Sequence, residues 1–116
     1  KGMRRAILTL ALEGNSIIID DIILNQSFLD DYLDVMADQH LYFVGVRCPL
    51  SVIEQRESQR LGRFPGTAES HFTSCHAHDT YDVQVDTSTT SPEACAELIA
   101  KRIAAGPPEA FRQLAR

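Results

Sequence analysis

The run Ser16-Ile17-Ile18-Ile19-Asp20 constrains the fold more than any other segment. Consecutive β-branched residues that end in acids leave no polar face, which is the pattern of a parallel strand covered on both sides. The flanking segments agree with this. Ile7, Leu8, Leu10, Ala11 and Leu12 mark a helical face over 4–12, and Gly14-Asn15 supplies its stop. Phe28, Leu29, Leu33 and Met36 predict a surface helix over 27–37, with Ser27 as N-cap and Asp30 and Asp31 in the first turn.

A second apolar run, Leu41 to Val46, predicts a strand, and Pro49 opens an amphipathic helix to Arg60 with Leu50, Val52 and Ile53 as its apolar residues. Gly62 to Thr67 breaks regular structure and reads as a mobile loop, before a short helix over 68–75 and a polar turn over 76–80. Asp82 to Asp86 alternates as a strand should. Ser91 caps a helix over 92–103 with Ala94, Leu98, Ile99 and Ile103 inward, and Gly106-Pro107-Pro108 sets off a short C-terminal helix. Strands alternating with helices imply crossovers and a parallel sheet of three visible strands. Such a sheet, opening on a helix with no strand before it, leaves one edge unpaired and points to residues upstream.

Length and charge narrow the function classes. A chain of 116 residues with 44% hydrophobic content fits one domain. A net charge of -5 argues against nucleic acid, which needs a clustered basic face. Cys48, Cys75 and Cys95 show no CxxC pairing, which fits a reducing compartment and predicts a cytoplasmic protein. The apolar runs are far short of a membrane span.

Three constellations carry chemistry. Asp20 and Asp21 emerge where open α/β sheets place ligands, in the form of a Walker B motif. One carboxylate there would hold Mg²⁺, directly or through water; the alternative is a solvated strand end. Arg56 and Arg60 share a helix face at i and i+4, and Arg63 sits just inside the Gly/Pro loop. Guanidinium groups stack on bases and grip phosphates, and a loop arginine can close over a reaction centre; the alternative is a basic helix end favoured by the dipole. Cys75-His76-Ala77-His78-Asp79, with His71, offers zinc donors but no second pair elsewhere, and a Cys75-His76 nucleophile lacks an orienting group. This segment reads as structural or substrate-lining.

Taken together, IIIDD, Val44-Gly45-Val46-Arg47-Cys48, the RESQRLGR run from Arg56 to Arg63 and Tyr81-Asp82-Val83-Gln84-Val85-Asp86-Thr87 resemble the chloramphenicol phosphotransferase family over about Gly14 to Ile103. The resemblance implies a three-layer α/β/α P-loop kinase-like parallel sheet, here lacking its first two strands. It also implies ATP and Mg²⁺ as cofactors and transfer of a phosphoryl group to a hydroxyl of a small molecule, an antibiotic such as chloramphenicol among the candidates. Asp20 and Asp21 match the metal-binding acids. Arg56 and Arg60 match positions that flank adenine or touch phosphates, with Arg60 and Arg63 the catalytic arginines and Arg63 on a lid over 61–67. Asp86, Thr87 and Ser88 match the adenine-side loop, and His76 aligns with a histidine of unassigned role.

The sequence departs from that family in having no GxxxxGK[ST]; its glycines, at 2, 14, 45, 62, 66 and 106, cannot make one. Residues 1–116 are therefore expected to be the C-terminal part of one kinase domain, inactive alone, with the P-loop and the acceptor-activating aspartate upstream. A non-catalytic binding or scaffold domain built on the same fold is the alternative.

Overall fold

The computed structural model describes residues 2–59, 72 and 74–115. Two helices come first, α1 (Gly2–Leu12) and α2 (Gln26–Met36). They are followed by β1 (Val44–Arg47), α3 (Leu50–Ser58) and a 3-10 turn (Ser74–His76). Strand β2 (Val83–Asp86), α4 (Pro92–Ala105) and α5 (Ala110–Leu114) complete the order. No helix among the described residues is long and apolar enough to cross a membrane.

β1 and β2 pair in parallel, with Val44 opposite Val83 and Arg47 opposite Asp86. The ladder extends at both ends, through Asp82 N–H to Phe43 O at 2.8 Å and Thr87 N–H to Arg47 O at 3.0 Å. Val46 and Val85 share one face of this ribbon and Gly45 the other. Gly45 is there because the Tyr81 ring lies against it: a Cβ at this position would stand 2.8 Å from two ring carbons.

The expected third strand does not form. Residues 16–24 have no regular secondary structure, and Ile18 is 98% exposed. A strand needs a neighbour to satisfy its backbone groups, and the described residues place none beside this segment. The observed architecture is mixed α/β with a two-stranded parallel sheet.

The core sits beside the sheet. Tyr32, Met36 and Phe111 are buried together, with Ile7, Leu8, Ile19, Ile23 and Phe43 packed around them. Two local expectations are corrected here. Asn25, and not Ser27, caps α2, its Oδ1 accepting from Phe28 N–H at 3.1 Å while the Ser27 hydroxyl donates to the same atom. In α4 the Ser91 cap forms as expected, but Leu98 and Ile103 face solvent and Cys95 is the buried residue. A two-stranded ribbon offers a bed too narrow for a wide apolar stripe, so only part of the stripe is covered.

Candidate functional site

The C-terminal ends of parallel strands are where this class of sheet gathers ligands, and three of the sequence-selected residues meet there. Asp86 ends β2, Thr87 follows it, and α3 carries Arg56 towards both. The Arg56 guanidinium donates to the Thr87 hydroxyl at 2.9 Å and to the Thr87 carbonyl at 2.9 Å. Two donors on one planar group fix its orientation as well as its position.

Asp86 shapes the turn that presents Thr87. Its Oδ1 accepts from the Ser88 amide at 2.8 Å and the Ser88 hydroxyl at 2.5 Å. The Ser88 hydroxyl and amide, then the Thr89 amide and the Arg56 guanidinium, hold the Asp86 carboxyl below its ordinary range against a smaller opposing effect of desolvation. Beside this group a groove of about 500 Å³ is walled by Val46, Val85 and Ile99, with Arg56, Thr87 and Thr90 as polar lining. Its walls are mostly apolar, with few polar groups among them.

Asp20 and Asp21 lie apart from that set: among the described residues neither is bonded to Arg56, Asp86 or Thr87. Asp20 is exposed. Asp21 accepts from the Tyr32 hydroxyl at 2.6 Å and stands 4.0 Å from Arg4 Nη2. Burial first, then the hydrogen bond to Asp21 and its charge, push the Tyr32 phenol up to about 12. Mg²⁺ is usually held by one or two carboxylates with phosphate oxygens and waters completing its shell. The exposed Asp20 carboxylate fits one place in such a shell, and no group of three or more His, Cys, Asp or Glu able to hold a metal occurs among the described residues. Arg60, Arg63 and the lid over 61–67 fall outside the described residues, as does most of the helix expected over 68–75.

The Cys75 to Asp79 segment packs on the Gly45 face of the sheet. His76 Nδ1 is bonded to the Tyr81 hydroxyl. His78 stacks on Phe43 with ring centroids 5.0 Å apart. Arg47 reaches from the end of β1 to Asp79 at 2.5 Å and to Gln84. Burial above all lowers the affinity of His76 and His78 for protons, with Arg47 reinforcing it at His76. Burial likewise raises the Cys75 thiol, the opposite of what a nucleophile needs.

Sequence reasoning missed Asp82. Its carboxylate is fully covered, accepting from Phe43 N–H at 2.7 Å, Glu109 N–H at 2.7 Å and Ala110 N–H at 3.1 Å, with Arg102 Nη2 at 3.5 Å. In the alternating pattern of 82–86 Asp82 falls on the polar side with Gln84 and Asp86, so nothing local marked its covered carboxylate. Arg4 and Tyr32 were missed as well, and nothing local to 1–40 marks them.

The family model described as "Chloramphenicol phosphotransferase-like protein" matches residues 1–104. Neither the curated proteins nor the solved structures compared with the chain gave a significant match.

Proposed function

Because the chain belongs to the chloramphenicol phosphotransferase-like family, we propose that it forms the nucleotide-side part of an ATP-dependent phosphotransferase acting on a hydroxyl of a small molecule. The family makes it kinase-like. The observation that supports a nucleotide at this site is the Arg56 guanidinium, oriented by both oxygens of Thr87 at the C-terminal ends of the parallel strands. In this reading Arg56 meets the base or phosphates, Asp86 keeps the Thr87 turn in shape, and the groove along Val46 and Val85 takes apolar surface. One carboxylate of the Asp20 and Asp21 pair would hold Mg²⁺, directly or through water, and the metal when bound would neutralise phosphate charge. Arg60 and Arg63 serve the transferring phosphoryl group, as the family resemblance implies. The acceptor is a small molecule with a free hydroxyl, and chloramphenicol-like antibiotics are the first to assay.

Calorimetry on the natural polypeptide that carries this sequence tests the proposal, followed by a phosphoryl-transfer assay over a panel of hydroxyl compounds. We expect Mg²⁺-dependent ATP binding that Arg56→Met weakens about tenfold or more, the loss typical of hydrogen bonds to a charged group. Unchanged binding in Arg56→Met would remove the site's assignment. A polypeptide that binds no nucleotide would favour the second reading, a binding or scaffold domain built on the same fold.

A further inference from the structure

Asp20 and Asp21 are neighbours in sequence with opposite surroundings. Within 18–23, which forms no strand, Ile19 and Ile23 pack on the core while Ile18 is 98% and Ile22 43% exposed. Asp20 and Asp21 are both exposed residues, and what separates them is the hold on the Asp21 carboxylate. The Asp21 side chain, 28% exposed, reaches Tyr32 and Arg4 on the two helices, whereas Asp20 makes no hydrogen bond or ion pair among the described residues. Asp20 and Asp21 share a planar peptide unit, so holding the Asp21 side chain restricts where Asp20 can stand.

What fixes Asp21 comes from two helices. From α2, the Tyr32 hydroxyl donates to Asp21 Oδ2 at 2.6 Å. From α1, Arg4 stands 4.0 Å from the same oxygen, itself 8% exposed and paired with Asp31 at 3.0 Å. Its guanidinium lies over the Phe28 and Tyr32 rings, 5.1 and 4.5 Å from their centroids. The remaining Asp21 oxygen accepts from Ile22 N–H at 2.8 Å. Binding a cation at Asp21 would mean giving up the phenol and placing a second positive charge beside Arg4.

We infer that the two acids divide their work: Asp20 faces the cation, while Asp21 is a clasp, with Tyr32 and Arg4 as positioning residues that set where Asp20 stands. The role of Asp20 rests on the function proposed above; the clasp does not.

The test uses the natural polypeptide, thermal melts, and Mn²⁺ binding followed by electron paramagnetic resonance with ATP present. Asp20→Asn is expected to leave Tm within about 1 °C, as for a surface change, and to weaken Mn²⁺ about tenfold or more. Asp21→Asn keeps an oxygen for the Tyr32 hydroxyl, so its Mn²⁺ affinity should stay within about threefold of the parent, less than one lost charged contact. Tyr32→Phe should lower Tm by about 4 °C or more and, well below its Tm, weaken Mn²⁺ by a factor of about three to ten. If Asp21→Asn loses Mn²⁺ as severely as Asp20→Asn with Tm unchanged, Asp21 is a ligand and the inference falls. It falls equally if Tyr32→Phe leaves both readouts at parent values. A parent protein that binds no Mn²⁺ with ATP defeats the functional reading and the role of Asp20. The melts of Asp20→Asn and Tyr32→Phe still decide the clasp in that case.

Discussion

Replacing Asp82 should damage this fold more than replacing any residue of the proposed nucleotide site. Its carboxylate is fully covered and receives the N–H groups of Phe43, Glu109 and Ala110, tying the entry to β1 and the start of α5 to the entry of β2. In Asp82→Ala all three donors lose their acceptor. Glu109 is exposed and can turn to water, whereas Ala110 is 2% exposed and Phe43 is half-buried. Leaving a buried donor unsatisfied costs about 1–3 kcal/mol, so two such donors give about 3–5 kcal/mol. Arg102 adds little to this loss because its guanidinium keeps the carbonyls of Asp82, Gly106 and Pro107.

Asp82→Asn separates the contributions. The amide keeps one oxygen, but its NH₂ must face either Phe43 N–H or the Glu109 and Ala110 pair, so one donor meets another, at about 2–3 kcal/mol. Urea denaturation followed by circular dichroism reads both. With a slope of about 1–3 kcal/mol per molar, the midpoint should fall by about 2 M for alanine and about half that for asparagine. Against a whole-domain stability of about 5–15 kcal/mol, the alanine variant sits close to unfolding. Midpoints that put either variant within about 0.5 kcal/mol of the parent, the range of ordinary surface changes, would refute the reasoning.

Gly45→Ala should cost about 1–3 kcal/mol by overpacking, because its Cβ would meet the Tyr81 ring at 2.8 Å and His76 holds that ring by its hydroxyl; an unchanged urea midpoint would show that the ring moves freely. Between about pH 7.5 and 5.5 stability should fall with acid: His76 and His78 bind protons less readily folded than their ordinary 6.5, so the unfolded chain takes up protons first. Urea midpoints across that range check it, and His76→Gln should flatten the slope. At the alkaline end Tyr32 and Tyr81, raised from 10.0 to about 12, hold their protons longer in the folded chain, so stability should drop as pH rises through that window, read by tyrosinate absorbance alongside unfolding.

The elements most legible in the sequence are those whose partners are also close in pattern. Both paired strands fall within the apolar or alternating runs that marked them, apart from Arg47, because each ladder needs only the other. Ser91 was legible as a cap because the Pro92 that follows leaves little else for it to do, whereas Asn25 and Ser27 are both good caps two residues apart, and only three-dimensional geometry chooses. The site divides in the same way. Arg56 and Thr87 were legible by residue type and position, but their bond spans 31 residues of sequence, and neither carries a sign of the other. Tyr32, Arg4 and Asp82 act through contacts across 11, 27 and 39 residues, where periodicity carries no information.

The segment 16–24 shows what a local pattern does and does not specify. Its β-branched residues favour extended backbone, and Ile19 and Ile23 are the two of its residues that pack against the core. Strand pairing requires a neighbour, and here the helices supply the register instead, through Ile19 and Ile23 in the core and Asp21 on Tyr32. That places the acid pair under the control of the helical layer. Tyr32 packs with Phe111 in the same core, Phe111 belongs to α5, and the start of α5 is held by Asp82 at the entry to β2. A continuous set of contacts thus runs from the strand carrying Asp86 to the clasp at Asp21, so the acids and the Arg56–Thr87 pair are positioned by one packed body even though no hydrogen bond joins them among the described residues.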